Sequence, residues 1–349
     1  MKKLSFPVYV TAWTRLGSAL YKGRKVMMRK AISLSAGVCL TLLAACNRHQ
    51  STLAPFGEEA DKVLSITIVL VIGAIILAGG LALLMRHAMR APEGRLTHKG
   101  GMKLVLWLGG IGPSILLLGL LLYALPAMRP REVANGDLRI GVEGEQFWWR
   151  VRYAPPGESV VETANELRLP VGRTVELALR STDVIHSFWV PGLAGKMDMI
   201  PGRTNRLVVR ATKAGTYRGV CAEFCGLSHA LMAFDVIAME PAAFERWLAE
   251  QRKPAIVTAS PGGRLFASYG CSGCHTVRGL GPVAKIGPDL THFGSRPTLA
   301  AGVLPMTHAN IAGFVRDPGK TKPGVRMPAF PQMSAAEADQ IASYLQGLK

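Results

Sequence analysis

Two long uncharged runs dominate the hydrophobic pattern of this chain. There are 23 residues without a charge between Lys62 and Arg86, and another 25 between Lys103 and Arg129. Each can form one helix across a hydrocarbon layer of about 30 Å, where a spanning segment must satisfy its own backbone. A transmembrane hairpin is therefore predicted within residues 46–129, with helices over about 63–85 and 104–126. The link Arg86 to Lys103 carries five Lys or Arg against the single Glu93. The positive-inside rule puts this link in the cytoplasm and exports everything after Arg129.

From Asp137 the pattern changes to short alternating stretches, Leu138 to Val142, Phe147 to Tyr153, Glu166 to Leu169, Thr174 to Leu179, Arg206 to Val209 and Ala233 to Ile237. Turns such as Pro155-Pro156-Gly157 and Pro201-Gly202 punctuate them, which predicts an antiparallel Greek-key β-sandwich over 130–253. After Arg252-Lys-Pro254 the period becomes helical near Gly262 to Tyr269 and His308 to Arg316. Ser334-Ala-Ala-Glu337 is a capping box that opens a last helix through Ile341, Tyr344 and Leu345, so residues 254–349 read as a small all-α domain.

Ahead of the hairpin, Met28-Arg29-Lys30, a mostly apolar Ala31 to Leu43, and Leu43-Ala44-Ala45-Cys46 resemble a bacterial lipoprotein signal with Cys46 as the lipidated residue. Residues 1–45 are then a removed leader, and 1–27 follow a start codon set too early. An ordinary buried or membrane-core segment with a chance Cys46 is the competing reading, disfavoured because the apolar stretch is too short to span.

Composition then narrows the function. The chain has 349 residues, 49% hydrophobic, and a net charge of +18, which at first suggests nucleic acid. The charge is dispersed, however: eight Lys or Arg lie in residues 1–30, and residues 129–253 are nearly neutral with 17 basic and 15 acidic side chains. Residues 254–349 hold nine basic and four acidic, a modest excess that suits approach to acidic groups on a protein partner or mere solvation. No polyanion-binding face emerges, and no nucleic-acid partner is expected.

The chemistry sits in two clusters. Cys221 and Cys225 are four apart, His229 and Met232 follow, and His186 lies in Asp183-Val-Ile-His-Ser-Phe-Trp-Val-Pro191, all read as loop positions. Two thiolates, two imidazoles and a thioether form a soft set suited to copper, and two sulfurs can bridge two ions that share one electron. A closed set without a vacancy favours electron transfer over bond-making. A Cys221–Cys225 disulfide, tetrahedral zinc with His186 and His229, and plain core packing of Met232 are the competing readings. In the C-terminal part, Cys271-Ser-Gly-Cys274-His275 is the attachment signature of c-type haem, in which two thiols bind the vinyl groups and the imidazole takes one axial place on iron. A thioredoxin-like pair is the alternative, without the βαβ surroundings it needs. Met327, followed by Pro328, is the preferred sixth ligand; Met306 and Met333 compete, and the capping box makes Met333 a packing residue.

These motifs resemble subunit II of the haem-copper cytochrome c oxidases, over about Glu58 to Glu250, and the fused haem domain resembles the caa-type members. The resemblance implies a cupredoxin-like domain with a dinuclear CuA centre held by the side chains of His186, Cys221, Cys225, His229 and Met232 and the backbone carbonyl of Glu223. It also implies magnesium on the Glu223 carboxylate at the border with subunit I, which Lys196 to Arg203 would face. The class I cytochrome c fold is implied for the C-terminal domain. Two positions depart: Phe147 follows Gln146 where the family usually has Trp, leaving Phe147, Trp148 and Trp149 as candidates for receiving electrons, and Lys103-Leu-Val-Leu-Trp107 lacks the glutamate that feeds protons in many members.

The function expected from this resemblance is a proton-pumping terminal oxidase at the bacterial inner membrane, with both exported domains on the periplasmic side. Electrons would pass from a cytochrome c or bc complex to haem c, then to copper, then to subunit I, where oxygen becomes water; subunit III and membrane lipid are further partners. No catalytic residue is expected in this chain itself. A copper carrier is opposed by the haem motif on the same chain, and nitrous oxide reduction by the lack of a large His-rich cluster among eight histidines.

Overall fold

The computed structural model describes residues 47–349 apart from positions 93, 96, 130, 131, 133–137, 156, 257, 258 and 282. The leader and Cys46 lie outside the described residues.

The two hydrophobic runs form α1, Glu58–Ala88, and α2, His98–Met128, and the most apolar stretch of each has no buried residue. Both helices exceed the predicted spans because they run on into polar ends. Glu58, Glu59 and Asp61 occupy the first turn of α1 and Arg86 and His87 its last, each sign complementing the helix dipole. The Thr97 side chain caps α2 by accepting from Gly100 N. At about 1.5 Å per residue, 31 residues outreach the hydrocarbon layer, so the charged ends emerge into water. Leu106–Ile111 winds as a π turn, with Gly112 N bonding Trp107 O; Pro113 just beyond cannot donate to an α-helical partner.

Phe56, just before α1, ties the hairpin to the exported part. Its ring stacks on Tyr217 with centroids 3.4 Å apart, and its backbone bonds to Gly192 O at 2.7 Å and to Thr212 N at 2.6 Å.

The exported chain first forms ten strands: β1 Leu138–Glu145, β2 Trp148–Tyr153, β3 Val161–Ala164, β4 Glu166–Pro170, β5 Thr174–Ser181, β6 His186–Trp189, β7 Met197–Met199, β8 Asn205–Arg210, β9 Gly215–Cys221 and β10 Ala233–Met239. They make two sheets, β3-β2-β1-β5-β8 and β4-β10-β9-β6-β7. Ile140, Trp149, Leu177, Phe188 and Phe234 fill the space between.

The sheets are mixed, which corrects the antiparallel expectation: β1 pairs parallel with β5 and β4 with β10. The chain changes sheets at Asn165, which takes the left-handed conformation (φ 60°) between β3 and β4. A crossover between sheets brings a strand back in the same direction, and alternation of apolar residues carries no information on direction. Two of the four strands absent from the sequence reading, β6 and β9, hold site residues. β6 is buried at three consecutive positions and so shows no alternation, and glycines interrupt β9.

After β10, α3 Pro241–Arg252 lays Phe244 and Leu248 on the sandwich core. The C-terminal part has its own core, in which Phe266 of α4 Pro261–Ser268, Ile311 of α5 His308–Arg316, and Ile341 and Leu345 of α6 Ala335–Gly347 meet. The Ser334–Glu337 capping box forms as predicted, and Met333 is buried beside it in the packing role expected. Two two-residue strands, β11 Thr298–Leu299 and β12 Leu304–Pro305, modify the all-α expectation. They are too short to leave a periodic signal.

Candidate metal centres

The buried end of the sandwich gathers the soft donors. His186 opens β6 and Cys221 closes β9, so both stand on framework strands and not in loops as the sequence suggested. Cys225 follows in the loop after β9, His229 opens the short 3-10 turn His229–Leu231, and Met232 precedes β10. Phe188 pairs with Cys221 across β6 and β9, which fixes the first cysteine against the strand of the first histidine. Gly144 of β1 is needed here: a Cβ on it would come within 2.9 Å of the His186 ring.

The Cys221 and Cys225 sulfurs lie 3.9 Å apart, Cys221 Sγ is 3.8 Å from His186 Nδ1, and Cys225 Sγ is 3.6 Å from His229 Nδ1 and 3.8 Å from Met232 Sδ. Glu223 O is 3.2 Å from Cys221 Sγ. A disulfide needs sulfurs about 2.05 Å apart, so that alternative does not describe this pair. A metal–sulfur distance of about 2.3 Å lets one ion touch both sulfurs, because twice that length exceeds their separation. The donors thus fit soft metal, with a thioether and a carbonyl beside the thiolates, which structural zinc does not require.

Electrostatics sharpen the picture. The hydrogen bond with Cys225 and the His186 ring hold the Cys221 thiol far below its usual range, while the same partnership and burial drive Cys225 upward. The pair shares one proton and offers a thiolate to a cation. Asp183 Oδ1 lies 2.9 Å from His186 Nε2. Burial opposes the Asp183 charge, but the Gln146 backbone N–H and the His186 ring outweigh it and hold the carboxyl below the usual carboxylate range. With Nε2 committed to Asp183, Nδ1 of His186 is free to face the sulfurs. Asp183 has no role in the sequence pattern beyond opening the stretch that holds His186; its place three residues ahead of that histidine is the signal that points to it.

Of the aromatic candidates, Trp149 is fully buried, with its ring centroid 6.3 Å from that of His186. Phe147 is also buried, and its carbonyl accepts from Lys322 of the C-terminal part. Trp148 is half-buried beneath the Arg150 guanidinium, 4.7 Å from its ring centroid. Glu223 has its carboxylate 3.7 Å from Lys196, on the segment expected to face a partner.

In the C-terminal part, Cys271 and Cys274 stand on one tight helical turn, and His275 N bonds back to Cys271 O at 3.0 Å. His275 Nδ1 donates to Pro288 O at 2.9 Å, which leaves Nε2 as the outward lone pair. Burial lowers the His275 ring below its ordinary value, against that bond, and so favours the neutral ligand form. A Cβ on Gly287 would come within 2.6 Å of the ring. Leu280, Val283 and Ile286 are exposed apolar side chains between the motif and Gly287, a surface that a porphyrin face would cover. Met327 is half-buried on the loop before Phe330, whereas Met306 packs against the helical core.

A membrane hairpin, a cupredoxin-like sandwich with a buried sulfur-rich donor cluster and a helical unit with Cys-x-x-Cys-His define a membrane-anchored electron-transfer protein. Comparison with known proteins specifies the family. Residues 149–239 match the cytochrome c oxidase subunit II periplasmic domain and residues 259–349 match cytochrome c. The cytochrome c oxidase subunit 2 of Alkalihalophilus pseudofirmus is 34% identical over 89% of this chain and 95% of its own length, and that of Bacillus subtilis 32% over 88% and 94%. Among solved structures, the periplasmic domain of subunit II of cytochrome oxidase of Bradyrhizobium japonicum aligns with 35% of this chain and 97% of that one, at 30% identity and a TM-score of 0.33. The chain belongs to the cytochrome c oxidase subunit 2 family, in the caa-type form with a cytochrome c domain fused at its C terminus.

Proposed function

We propose that this chain is the electron-receiving subunit of a proton-pumping oxidase in the bacterial inner membrane, with its sandwich and haem domain on the periplasmic side. The domains divide at 46–129, 130–253 and 254–349, after a leader that ends before a lipidated Cys46. Haem c, attached through Cys271 and Cys274 with His275 and Met327 as axial ligands, and a CuA pair would each take up and release one electron. His186, Cys221, Cys225, His229 and Met232, with the Glu223 carbonyl, hold the copper pair; the Glu223 carboxylate serves magnesium at the subunit I border.

The observation that carries this reading is the convergence of two thiols 3.9 Å apart with two imidazole nitrogens, a thioether and a backbone carbonyl at one buried point. Burial of His186, Cys221, Cys225 and Met232 fixes these donors, with His229 half-buried beside them, so little rearranges when the charge changes. Asp183 holds the His186 ring, and Pro288 the His275 ring of the haem motif, in the tautomer that a metal binds. The electron donor is a cytochrome c or the bc complex, and subunits I and III are the partners.

Electron paramagnetic resonance of the membrane-extracted full chain tests it. Hyperfine structure from one electron shared equally by two copper nuclei is expected, together with a c-haem spectrum; a single-copper pattern with the cysteines intact overturns the dinuclear reading.

A further inference from the structure

The segment before Met327 does more than present an iron ligand. Lys322 is buried between the domains, and its ammonium reaches the carbonyls of Phe147 and Ala300. Ser228 Oγ donates to Pro323 O at 2.7 Å, and Gly324 lies against Leu227 and Phe147. Next along this segment, Arg326 Nη2 donates to Asp183 Oδ2 at 2.9 Å.

The Asp183 carboxylate is otherwise held wholly from the copper domain. Its Oδ2 accepts from Gln146 N at 2.8 Å, and its Oδ1 accepts from Val184 N at 2.8 Å and faces His186 Nε2 at 2.9 Å. Among the described residues, Arg326 is the haem domain's only ion-pair partner for that carboxylate. One unbroken path therefore runs from the residue next to Met327, through a guanidinium and a carboxylate, to the imidazole whose other nitrogen faces Cys221.

We infer that Arg326 is a positioning residue for the copper site: acting through Asp183, it sets the orientation and donor strength of His186, so that docking of the haem domain is registered at a copper ligand. The inference rests on His186 being such a ligand. Its physics is that of partners behind a metal-bound histidine. A carboxylate accepting from the ring makes the imidazole a stronger donor, and a cation on that carboxylate weakens the effect. Removal of the cation leaves Asp183 more basic and His186 more electron-rich, which favours the oxidised metal; the lost positive charge acts in the same direction. No proton moves, because Nε2 keeps its hydrogen throughout.

Arg326 is 59% exposed at its side chain, so its ion pair is worth little to folding and can be removed without dismantling the domain. The test uses the full chain, wild type, R326Q and R326K, with redox titration of the copper absorption and pulsed magnetic resonance of the imidazole nitrogens. R326Q is expected to change the His186 nitrogen coupling and to lower the copper midpoint by about a threefold change in the oxidised-to-reduced ratio, which is about 28 mV at 59 mV per tenfold. R326K, which keeps the charge, is expected to restore most of both. An R326Q protein with wild-type coupling and midpoint overturns the inference, as do equal shifts in R326Q and R326K, which would mean packing and not charge. A wild-type spectrum lacking His186 coupling would instead overturn the ligand reading itself, and so the two failures are separable.

Discussion

The proposed copper and haem sites are built in opposite ways. At the copper site every predicted donor is brought within reach of the two sulfurs by separate elements: a strand start, a strand end and a loop. At the haem site, one helical turn carries both cysteines and the histidine, Met327 comes from a distant loop, and apolar residues stand exposed nearby. The difference follows from what each group brings. Bare ions have no shape, so the fold must supply all the geometry, while a porphyrin carries its own plane and four nitrogens and asks the protein only for anchors, axial ligands and apolar walls. The sharpest way to break this comparison is to remove one cysteine from each site. Cys225→Ala should abolish the two-copper spectrum and lower oxygen uptake by the assembled oxidase by about a hundredfold, since the sulfur proposed to bridge is lost. Cys274→Ala should leave haem attached through Cys271 with an altered absorption band. Absorption spectra of the two purified variants decide it, and a surviving two-copper signal in Cys225→Ala would refute the bridging role.

The next contrast lies within the haem domain. Met327→Ala should lower the haem potential by removing a thioether that favours ferrous iron, and should leave folding nearly untouched because the side chain is half-buried. Met333→Ala should do the reverse: it empties a site only 1% exposed, costing about 2–5 kcal/mol in unfolding experiments, and leaves the potential alone. An unchanged haem potential in Met327→Ala would move the ligand assignment to another methionine.

How legible these features were in the sequence depends on whether their signal is local. Cys271-Ser-Gly-Cys274-His275, the capping box at Ser334 and the two membrane runs are local, and the structure has each where expected. The proposed copper donors were legible as residue types, but β6 and β9 were not legible as strands, because full burial at Ser187 and glycine at 219 erase the period-two pattern. The parallel pairs and the contacts of Lys322 and Arg326 join residues far apart in sequence, which no single-sequence pattern encodes, whereas Asp183 stands three residues from His186 and lacked only a pattern that marks it as its partner.

Gly144 offers a smaller test of the same preorganisation. In Gly144→Ala the new methyl would meet the His186 ring at 2.9 Å, so the ring or β1 must shift. Overpacking of this kind costs about 1–3 kcal/mol, and a broadened copper spectrum with an unaltered haem spectrum is expected. Identical copper spectra would show that the site tolerates more movement than its packing implies.

The smallest expected effect concerns how the two regions are joined. Burial pushes the Lys322 ammonium down from 10.5 to about 7, against a smaller opposing pull from the cysteine pair at Cys225. The two N–H groups of a neutral amine suffice for the carbonyls of Phe147 and Ala300, so docking survives loss of the charge. With the folded value below the unfolded one, the unfolded chain binds more protons between about pH 7 and 10.5, and the folded state gains stability as pH rises through that window. The gain is at most about 1.4 kcal/mol per pH unit from one group. Below pH 7 the contribution levels off, since both states are then protonated. Thermal unfolding of the full chain followed at the haem band from pH 7 to 9 should therefore show a rising midpoint, and Lys322→Met should flatten that rise. If the slope survives in Lys322→Met, the junction is not titrated by this lysine, and groups that stay in one charge state across that window hold the two regions together, among them the Ser228 hydroxyl on Pro323 O and the Arg218 guanidinium on Gly302 O.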